Sequence, residues 1–209
     1  MNQNKPASRA FVFLSMLIAV SLFRVNAQAS VSGGLKMEMN THQFWLYDLD
    51  DYTSKTKIAP NVGGFLDIEL NDRFAVQPEI MLFFRNSGLK YGERDDHVQQ
   101  WGMMIPVYLV GREYIDSGTW YFGLGAYAGF GFNARMKNAK TVLYDKTDGH
   151  AAIMNRWDYG ISALIGYEYG NGIQINAGLQ LGLKDQLDAC KDHATAINKT
   201  ITAGIGYHF

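Results

Sequence analysis

Apolar and polar residues alternate along much of this 209-residue chain, and the alternation restricts the folds open to it. From 173 to 184 each odd-numbered residue is apolar, and each even-numbered residue is polar or glycine. Residues 200–209 follow the same rule. Successive side chains of a β-strand point to opposite faces, so a period of two predicts strands and not helices.

The same alternation recurs often enough to predict eight strands. They cover 31–39, 62–70, 74–85, 101–110, 120–133, 156–169, 173–184 and 200–209, the first four less regularly than the last four. Most segments have roughly the 9–11 residues that a tilted membrane strand requires.

The two faces of these strands differ in a way that indicates which one meets lipid. One face is nearly free of charge and is bounded by aromatic pairs: Trp120 and Phe132, Trp157 and Tyr169, Tyr207 and Phe209. The other face combines many of the 22 glycines with charged residues: Lys36, Glu38, Asp67, Glu69, Glu79, Arg85, Arg112, Arg156, Asp158, Glu168 and Lys184. A soluble sandwich would not need glycines on its wet face, whereas a narrow barrel needs them inside.

The connections between the segments alternate in length. Short links lie near 71–72, 115–118 and 170–172, and long polar links span roughly 41–57, 86–97, 134–154 and 185–196. Even-stranded outer-membrane barrels with both termini in the periplasm show this pattern. We therefore predict an all-β fold, an eight-stranded antiparallel up-and-down transmembrane β-barrel with short periplasmic turns and long extracellular loops.

The N-terminus has the pattern of a secretory signal peptide. Lys5 and Arg9 precede an uncharged, largely apolar stretch at 10–23, which is too short for a permanent membrane helix. We predict a cleaved signal peptide at 1–27 and an outer-membrane β-barrel at 28–209, with Ala29 as the second choice of cleavage site. A buried N-terminal helix of a cytosolic protein is the alternative.

The net charge and the cysteine content argue against a nucleic-acid-binding surface and against a disulfide within the chain. The formal net charge of −1 gives no broad basic surface for nucleic acid. Cys190 is the single cysteine, so the chain cannot form an intrachain disulfide.

Several short segments resemble the PorT-like porin family of Gram-negative outer-membrane β-barrels. They are Pro78–Ile80, Met104–Val107, Asp158–Ile161 and the ending Gly204–Phe209, together with the glycine- and aromatic-rich fifth strand. The resemblance implies an outer-membrane location and a C-terminal Phe209 that barrel assembly machinery reads. It implies no shared catalytic residues and no cofactor.

The inward face predicts a plugged or narrow barrel. Eight strands enclose an interior just wide enough to be filled by side chains. Large residues share that face with charges of both signs: Phe65, Phe83, Tyr108, Tyr121 and Tyr127. Because unpaired charges are costly in a tight interior, we expect the charges to be paired.

The residue types that carry metal or catalytic chemistry form no recognisable site in the sequence. His42, His97, His150 and His193 fall one in each predicted long loop, near Cys190 and several aspartates: Asp48, Asp50, Asp51, Asp95, Asp96, Asp148 and Asp192. Metal binding would require four loops to converge, and no nucleophile–base pair is visible for His208 or any other histidine. The glycines at 123–129 lie at a period of two within a strand, so they are not a nucleotide-binding loop.

We therefore predict a non-enzymatic protein with no catalytic, cofactor-binding or metal-binding residues. Its expected task is that of an envelope scaffold, an adhesion protein or a ligand-contact protein, with limited porin-like solute passage. Expected partners are outer-membrane lipid and lipopolysaccharide, and the extracellular ligand is left open. A soluble periplasmic lipocalin-like barrel with an apolar ligand and a small outer-membrane barrel enzyme are the alternatives.

Overall fold

The computed structural model describes residues 30–47, 52–91, 94–136, 142–145, 152–186 and 195–209, and within them the chain forms eight β-strands. In chain order they are β1 (Val31–Tyr47), β2 (Tyr52–Asn71), β3 (Phe74–Tyr91), β4 (Arg94–Ile115), β5 (Gly118–Met136), β6 (Trp157–Tyr169), β7 (Ile173–Gly182) and β8 (Thr195–His208). No helix in these described ranges is long and apolar enough to cross a membrane. The predicted signal peptide at 1–27 lies outside the described residues.

The strands close into one barrel. Each strand pairs antiparallel with its neighbours in the sequence, and β1 also pairs with β8, where Gly34 lies opposite His208. This confirms the predicted eight-stranded antiparallel up-and-down barrel. All described strands share one sheet, so the barrel leaves no free edge between them.

The predicted inward and outward faces are also correct. Lys36 on the charged face is 2% exposed, whereas Leu124 on the apolar face is 72% exposed. The apolar side chains surround the outside of the barrel and the charged ones lie within it. This arrangement is the reverse of a lipocalin-like barrel, whose apolar residues would point inward.

Aromatic rings on the outer face form contacts near both ends of the barrel. Near the long connections, Trp101 and Phe132 lie 5.1 Å apart between ring centroids, and Phe130 and Trp157 lie 5.0 Å apart. Near the short turns, Tyr167 is 4.9 Å from the ring of Tyr169 and 5.1 Å from that of Trp120. Such girdles mark the two interfaces of a membrane-spanning barrel.

Two of the predicted long links are wrong in extent. The link at 41–57 contains the end of β1, which reaches Tyr47, and the start of β2 at Tyr52. The link at 86–97 is mostly strand, because β3 continues to Tyr91 and β4 begins at Arg94. Beyond the lipid both faces of a strand meet polar surroundings, so the alternation of polarity fades while the backbone pairing continues.

Glycines allow large side chains to fit inside the barrel. A Cβ atom on Gly166 would lie 2.2 Å from the ring of Tyr121. A Cβ atom on Gly131 would lie 2.3 Å from the hydroxyl of Tyr144. The inward-facing glycines therefore make the room that the sequence pattern predicted for bulky neighbours.

Candidate functional site

The end of the barrel with the long connections, the long-loop end, is closed by an apolar cap. The cap comprises Phe44, Val98, Ala134, Leu143, Tyr144, Met154 and Ala196. Backbone amides of Ile153 and Met154 donate to the carbonyl of Leu143, both at 3.0 Å, and join two parts of the β5–β6 connection. Burial raises the pKa of the Tyr144 hydroxyl to about 12, so it remains neutral within the cap.

Below the cap, Asp158 holds a network of polar side chains from several strands. Its carboxylate accepts hydrogen bonds from Arg85 at 2.9 Å, Asn198 at 2.7 Å and Tyr127 at 3.2 Å. The Arg85 guanidinium also lies 4.5 Å from the centroid of the Phe83 ring. The side chains of the charged pair are 3% and 6% exposed, so both are buried.

A second set of charges fills the middle of the barrel. Lys36 donates to Glu79 and lies 3.9 Å from Glu38. Gln77 donates to the same Glu79 oxygen at 2.7 Å. These contacts and those of Asp158 agree with the predicted pairing of the lumen charges, because Lys36 and Arg85 each face a carboxylate.

One wall of the lumen keeps hydrogen-bonding capacity for water. Within the described residues, polar atoms of two buried side chains on β7 and β8 have no protein partner: Asn176 and Thr200. Buried polar groups of this kind normally bind ordered water. The interior is therefore filled but not uniformly dry.

At the end of the barrel with the short turns, the short-turn end, Arg112 bridges two acids. Its guanidinium donates to Asp67 and, at 3.0 Å, to Glu69. Asp67 lies on β2 directly opposite Ser32 of β1. Arg112 of β4 therefore connects to β2 at this mouth.

The same mouth contains a serine, a histidine and a carboxylate in series. The Ser32 hydroxyl lies 2.7 Å from Nε2 of His208. Nδ1 of His208 lies 3.0 Å and 3.1 Å from the two carboxylate oxygens of Glu168, which also accepts a hydrogen bond from Gln174 at 2.7 Å. No sequence spacing could have revealed this set, because β1, β6 and β8 meet only when the barrel closes. The alternating pattern did place both His208 and Glu168 on the inward face of their strands, and this was the signal available in the sequence.

The barrel wall has a notch on the β2–β3 side near the long-loop end. The strands pair at Thr56–Ser87 and again at Asn61–Phe83, which leaves an extra residue in β2 and an unpaired stretch between. Asn40 donates to the carbonyl of Phe84 at 2.7 Å from inside, and Pro60 has no amide hydrogen to offer.

The notch borders a cavity of about 590 Å³. Apolar outer-face residues line one part of the cavity: Ile58, Pro60, Phe84 and Trp101. Polar residues line another part: Asn86, Gln99, Asn133 and Arg135. Asn86 has a buried Oδ1 without a partner in the described part of the chain.

The predicted loop position of two histidines is wrong. His42 belongs to β1, is fully buried in the lumen, and bonds to Asn198 at 2.9 Å. His97 belongs to β4, and its Nε2 lies 3.0 Å from the Lys57 ammonium. The outward halves of β1 and β4 lack an apolar face, so the sequence pattern does not identify these segments as strands.

The other residues considered for metal chemistry have no described side chains. His150, His193, Cys190 and five aspartates lie outside the described residues: Asp48, Asp50, Asp51, Asp148 and Asp192. Asp95 and Asp96 lie within β4, and their side chains are likewise outside the description. Among the side chains that are described, no group of three or more histidines, cysteines or acids could hold a metal ion.

Comparison with solved structures finds similar bacterial proteins, of which OprG has a TM-score above 0.5. OprG from Pseudomonas aeruginosa is 14% identical, with a TM-score of 0.54 over 87% of this chain and 97% of that chain. Neisserial surface protein A is 11% identical, with a TM-score of 0.46 over 86% of this chain and 99% of that chain. Ail of Yersinia pestis is 12% identical, with a TM-score of 0.42 over 85% of this chain and 98% of that chain.

A family comparison covers nearly the whole chain, whereas no curated protein matches it. The model of the outer membrane protein β-barrel domain matches residues 15–209, which include every described strand. With its closed antiparallel barrel, apolar outer face and charged interior, the chain belongs to the outer-membrane β-barrel family.

Proposed function

We propose that this protein is an outer-membrane scaffold with a plugged barrel, and not an open diffusion pore. The observation that carries the proposal is the continuous filling of the lumen. An apolar cap, the Asp158 network, the Lys36–Glu79 pair and the Arg112 bridge follow one another along the barrel. A solute would have to separate buried ion pairs to pass, and removing one partner of such a pair costs about 3–5 kcal/mol.

Orientation and partners follow from the family architecture as parts of the same proposal. Short turns of outer-membrane barrels lie in the periplasm, so the cap faces outward and the mouth with Arg112 faces the periplasm. The export signal at 1–27 and recognition of Phe209 by barrel assembly machinery remain predictions from the sequence. Adhesion or ligand contact would be the task of the connections at the long-loop end.

Planar-bilayer conductance tests the plugged barrel. The folded protein should give no steady conductance of the size that a known open porin gives in the same bilayer. Folding is established beforehand by heat modifiability, with a faster unboiled band confined to outer-membrane fractions. A sustained large conductance would show that the paired charges do not block the lumen.

A second candidate function, contact with an anionic lipid of the outer leaflet, is favoured by the wall notch. Phe84 and Trp101 place the notch at the level of an aromatic girdle, where lipid headgroups meet acyl chains. Arg135 and the amides beside it offer donors to a phosphate, while Ile58 and Pro60 offer an apolar surface to a chain. Lipopolysaccharide, the partner expected from the sequence, has this chemistry.

Fluorescence quenching of Trp101 tests the lipid contact. A variant that retains Trp101 while the other three tryptophans become Phe is reconstituted with brominated-chain phosphatidylglycerol or phosphatidylcholine. We expect stronger quenching by the anionic lipid, and loss of that preference in Arg135→Gln. Arg73→Gln, at the opposite end of the barrel, is the control. Equal quenching by both lipids would refute the contact.

A further inference from the structure

We propose that Ser32, His208 and Glu168 form a site for the hydrolysis of small carboxylic esters at the short-turn end. The proposal goes beyond the scaffold function, and it would stand or fall independently of whether the barrel conducts. It begins with the arrangement Ser32–His208–Glu168, in which both ring nitrogens of the histidine have a partner.

The partners fix the roles of the two ring nitrogens. An ionised carboxylate can only accept hydrogen bonds, so Nδ1 of His208 carries the proton that Glu168 binds at 3.0 Å. Nε2 of the neutral imidazole is then an acceptor for the Ser32 hydroxyl at 2.7 Å. A nucleophile, a base and a group that orients the base are therefore held in the order that acyl transfer requires.

Rigid neighbours hold the base in position. Gln174 of β7 donates to Glu168 at 2.7 Å, and the ring of Phe65 on β2 lies 5.7 Å from that of His208. The three proposed site residues themselves lie on β1, β6 and β8. A site built on strands of a closed sheet keeps its geometry better than one built on loops.

Exposure distinguishes this set from the polar networks deeper in the lumen. The side chains of His208 and Glu168 are 15% and 27% exposed, whereas Arg85 and Asp158 are 3% and 6% exposed. Ser32 is half-buried. A small ester could therefore reach the hydroxyl from the short-turn end, which it could not do at Asp158.

The proposed reaction has two balanced steps. Nε2 of His208 takes the proton of Ser32 as Oγ attacks the carbonyl carbon, and the ester C–O bond breaks as the leaving alkoxide takes that proton. Water then attacks the acyl-serine with His208 as the base, which releases a carboxylic acid and restores the serine. The substrate class is a short-chain ester, because the side chains of His208 and Glu168 are only 15% and 27% exposed.

Hydrolysis of p-nitrophenyl acetate and labelling by a fluorophosphonate test the proposal on the folded barrel in detergent. Ser32→Ala should abolish labelling and bring hydrolysis to the background rate, and His208→Gln should lower the rate at least 100-fold. Ser117→Ala is the matched control, since Ser117 also lies at the short-turn end but bonds to Tyr167 and not to a histidine.

The folded state of each variant is established by heat modifiability. Unchanged hydrolysis in a folded Ser32→Ala barrel, or equal labelling of Ser32 and Ser117, would overturn the proposal. The serine–histidine contact would then be structural only.

Glu168 is proposed as a positioning residue, and its variants separate that role from stability. Glu168→Gln should lower kcat with little change in KM, because the imidazole loses its orienting acceptor while the substrate surface remains. Glu168→Asp, which keeps a carboxylate, should recover part of the rate. Equal kcat for the Gln and Asp variants would contradict this role for Glu168.

Discussion

The carboxylate of Asp158 connects four parts of the barrel through hydrogen bonds to Arg85, Tyr127, Asn198 and Gln186. Replacing both partners of a buried ion pair by apolar residues often changes the free energy of unfolding little. Removing one partner alone strongly lowers the free energy of unfolding, because the remaining buried charge then has no counter-ion.

Asp158→Asn should therefore lower the free energy of unfolding by about 3–5 kcal/mol, since it leaves Arg85 charged and unpaired inside the barrel. Urea titration of the barrel in lipid vesicles measures the change. Asp145→Asn is the matched control: its pair with Arg156 at 2.5 Å is largely exposed, and its loss should cost under about 1 kcal/mol. Similar losses for the two variants would mean that the Asp158 network is solvated.

At the scale of the strands, the close approach of neighbouring strands depends on glycines. A Cβ atom on Gly125 of β5 would lie 1.9 Å from the carbonyl oxygen of Val107 on β4. That oxygen belongs to the backbone and cannot move away as the end of a flexible side chain can. Gly170, in the turn between β6 and β7, has no atom within 4 Å of the same position.

Gly125→Ala should therefore destabilise the barrel by about 1–3 kcal/mol through strain between β4 and β5. Gly170→Ala should leave stability within about 0.5 kcal/mol. The unfolding midpoint in urea measures both changes. If both variants unfold at the wild-type midpoint, the strands adjust without cost.

Strand number and side-chain direction could be predicted from the sequence, but strand length could not. Ile173 to Lys184 alternates because lipid lies on one side and a polar lumen on the other. The contrast between lipid and lumen ends at the membrane surface, so the outward parts of β1 and β3 do not alternate in polarity and could not be recognised as strands. Hydrogen bonding along the backbone extends these strands, and it does not depend on which side chains they carry.

At the scale of the whole molecule, the lumen is closed by barriers in series. The apolar cap blocks the long-loop end, and the ion pairs block the barrel below it. Removing one barrier does not open the path while the other remains.

Phe44→Ala combined with Tyr144→Ala should therefore leave planar-bilayer conductance at the wild-type level, although it removes much of the cap. Adding Arg85→Ala and Asp158→Ala should still give no steady conductance, because the Lys36–Glu79 pair and the Arg112 bridge block the barrel further in. Unboiled gel mobility confirms that each variant has folded. Conductance from the cap variant alone would place the main barrier at the cap.

The candidate ester site could not be predicted from the sequence, because its residues meet only when the whole barrel closes. Ser32 and His208 are separated by 176 positions, and their contact depends on the closure of β1 against β8. The filled lumen could be predicted because it follows from strand parity. The serine–histidine contact could not, because it depends on the exact register with which the two strands meet.

The pairing of β1 with β8 also has a consequence for the order of folding. Contacts between residues so distant in the chain form slowly, and both strand edges stay open until the last strand arrives. The contacts of His42 with Asn198 and of Ser32 with His208 cross this seam, so they can form only when the cylinder shuts. Spectroscopic labels at these pairs would time the final step of membrane assembly.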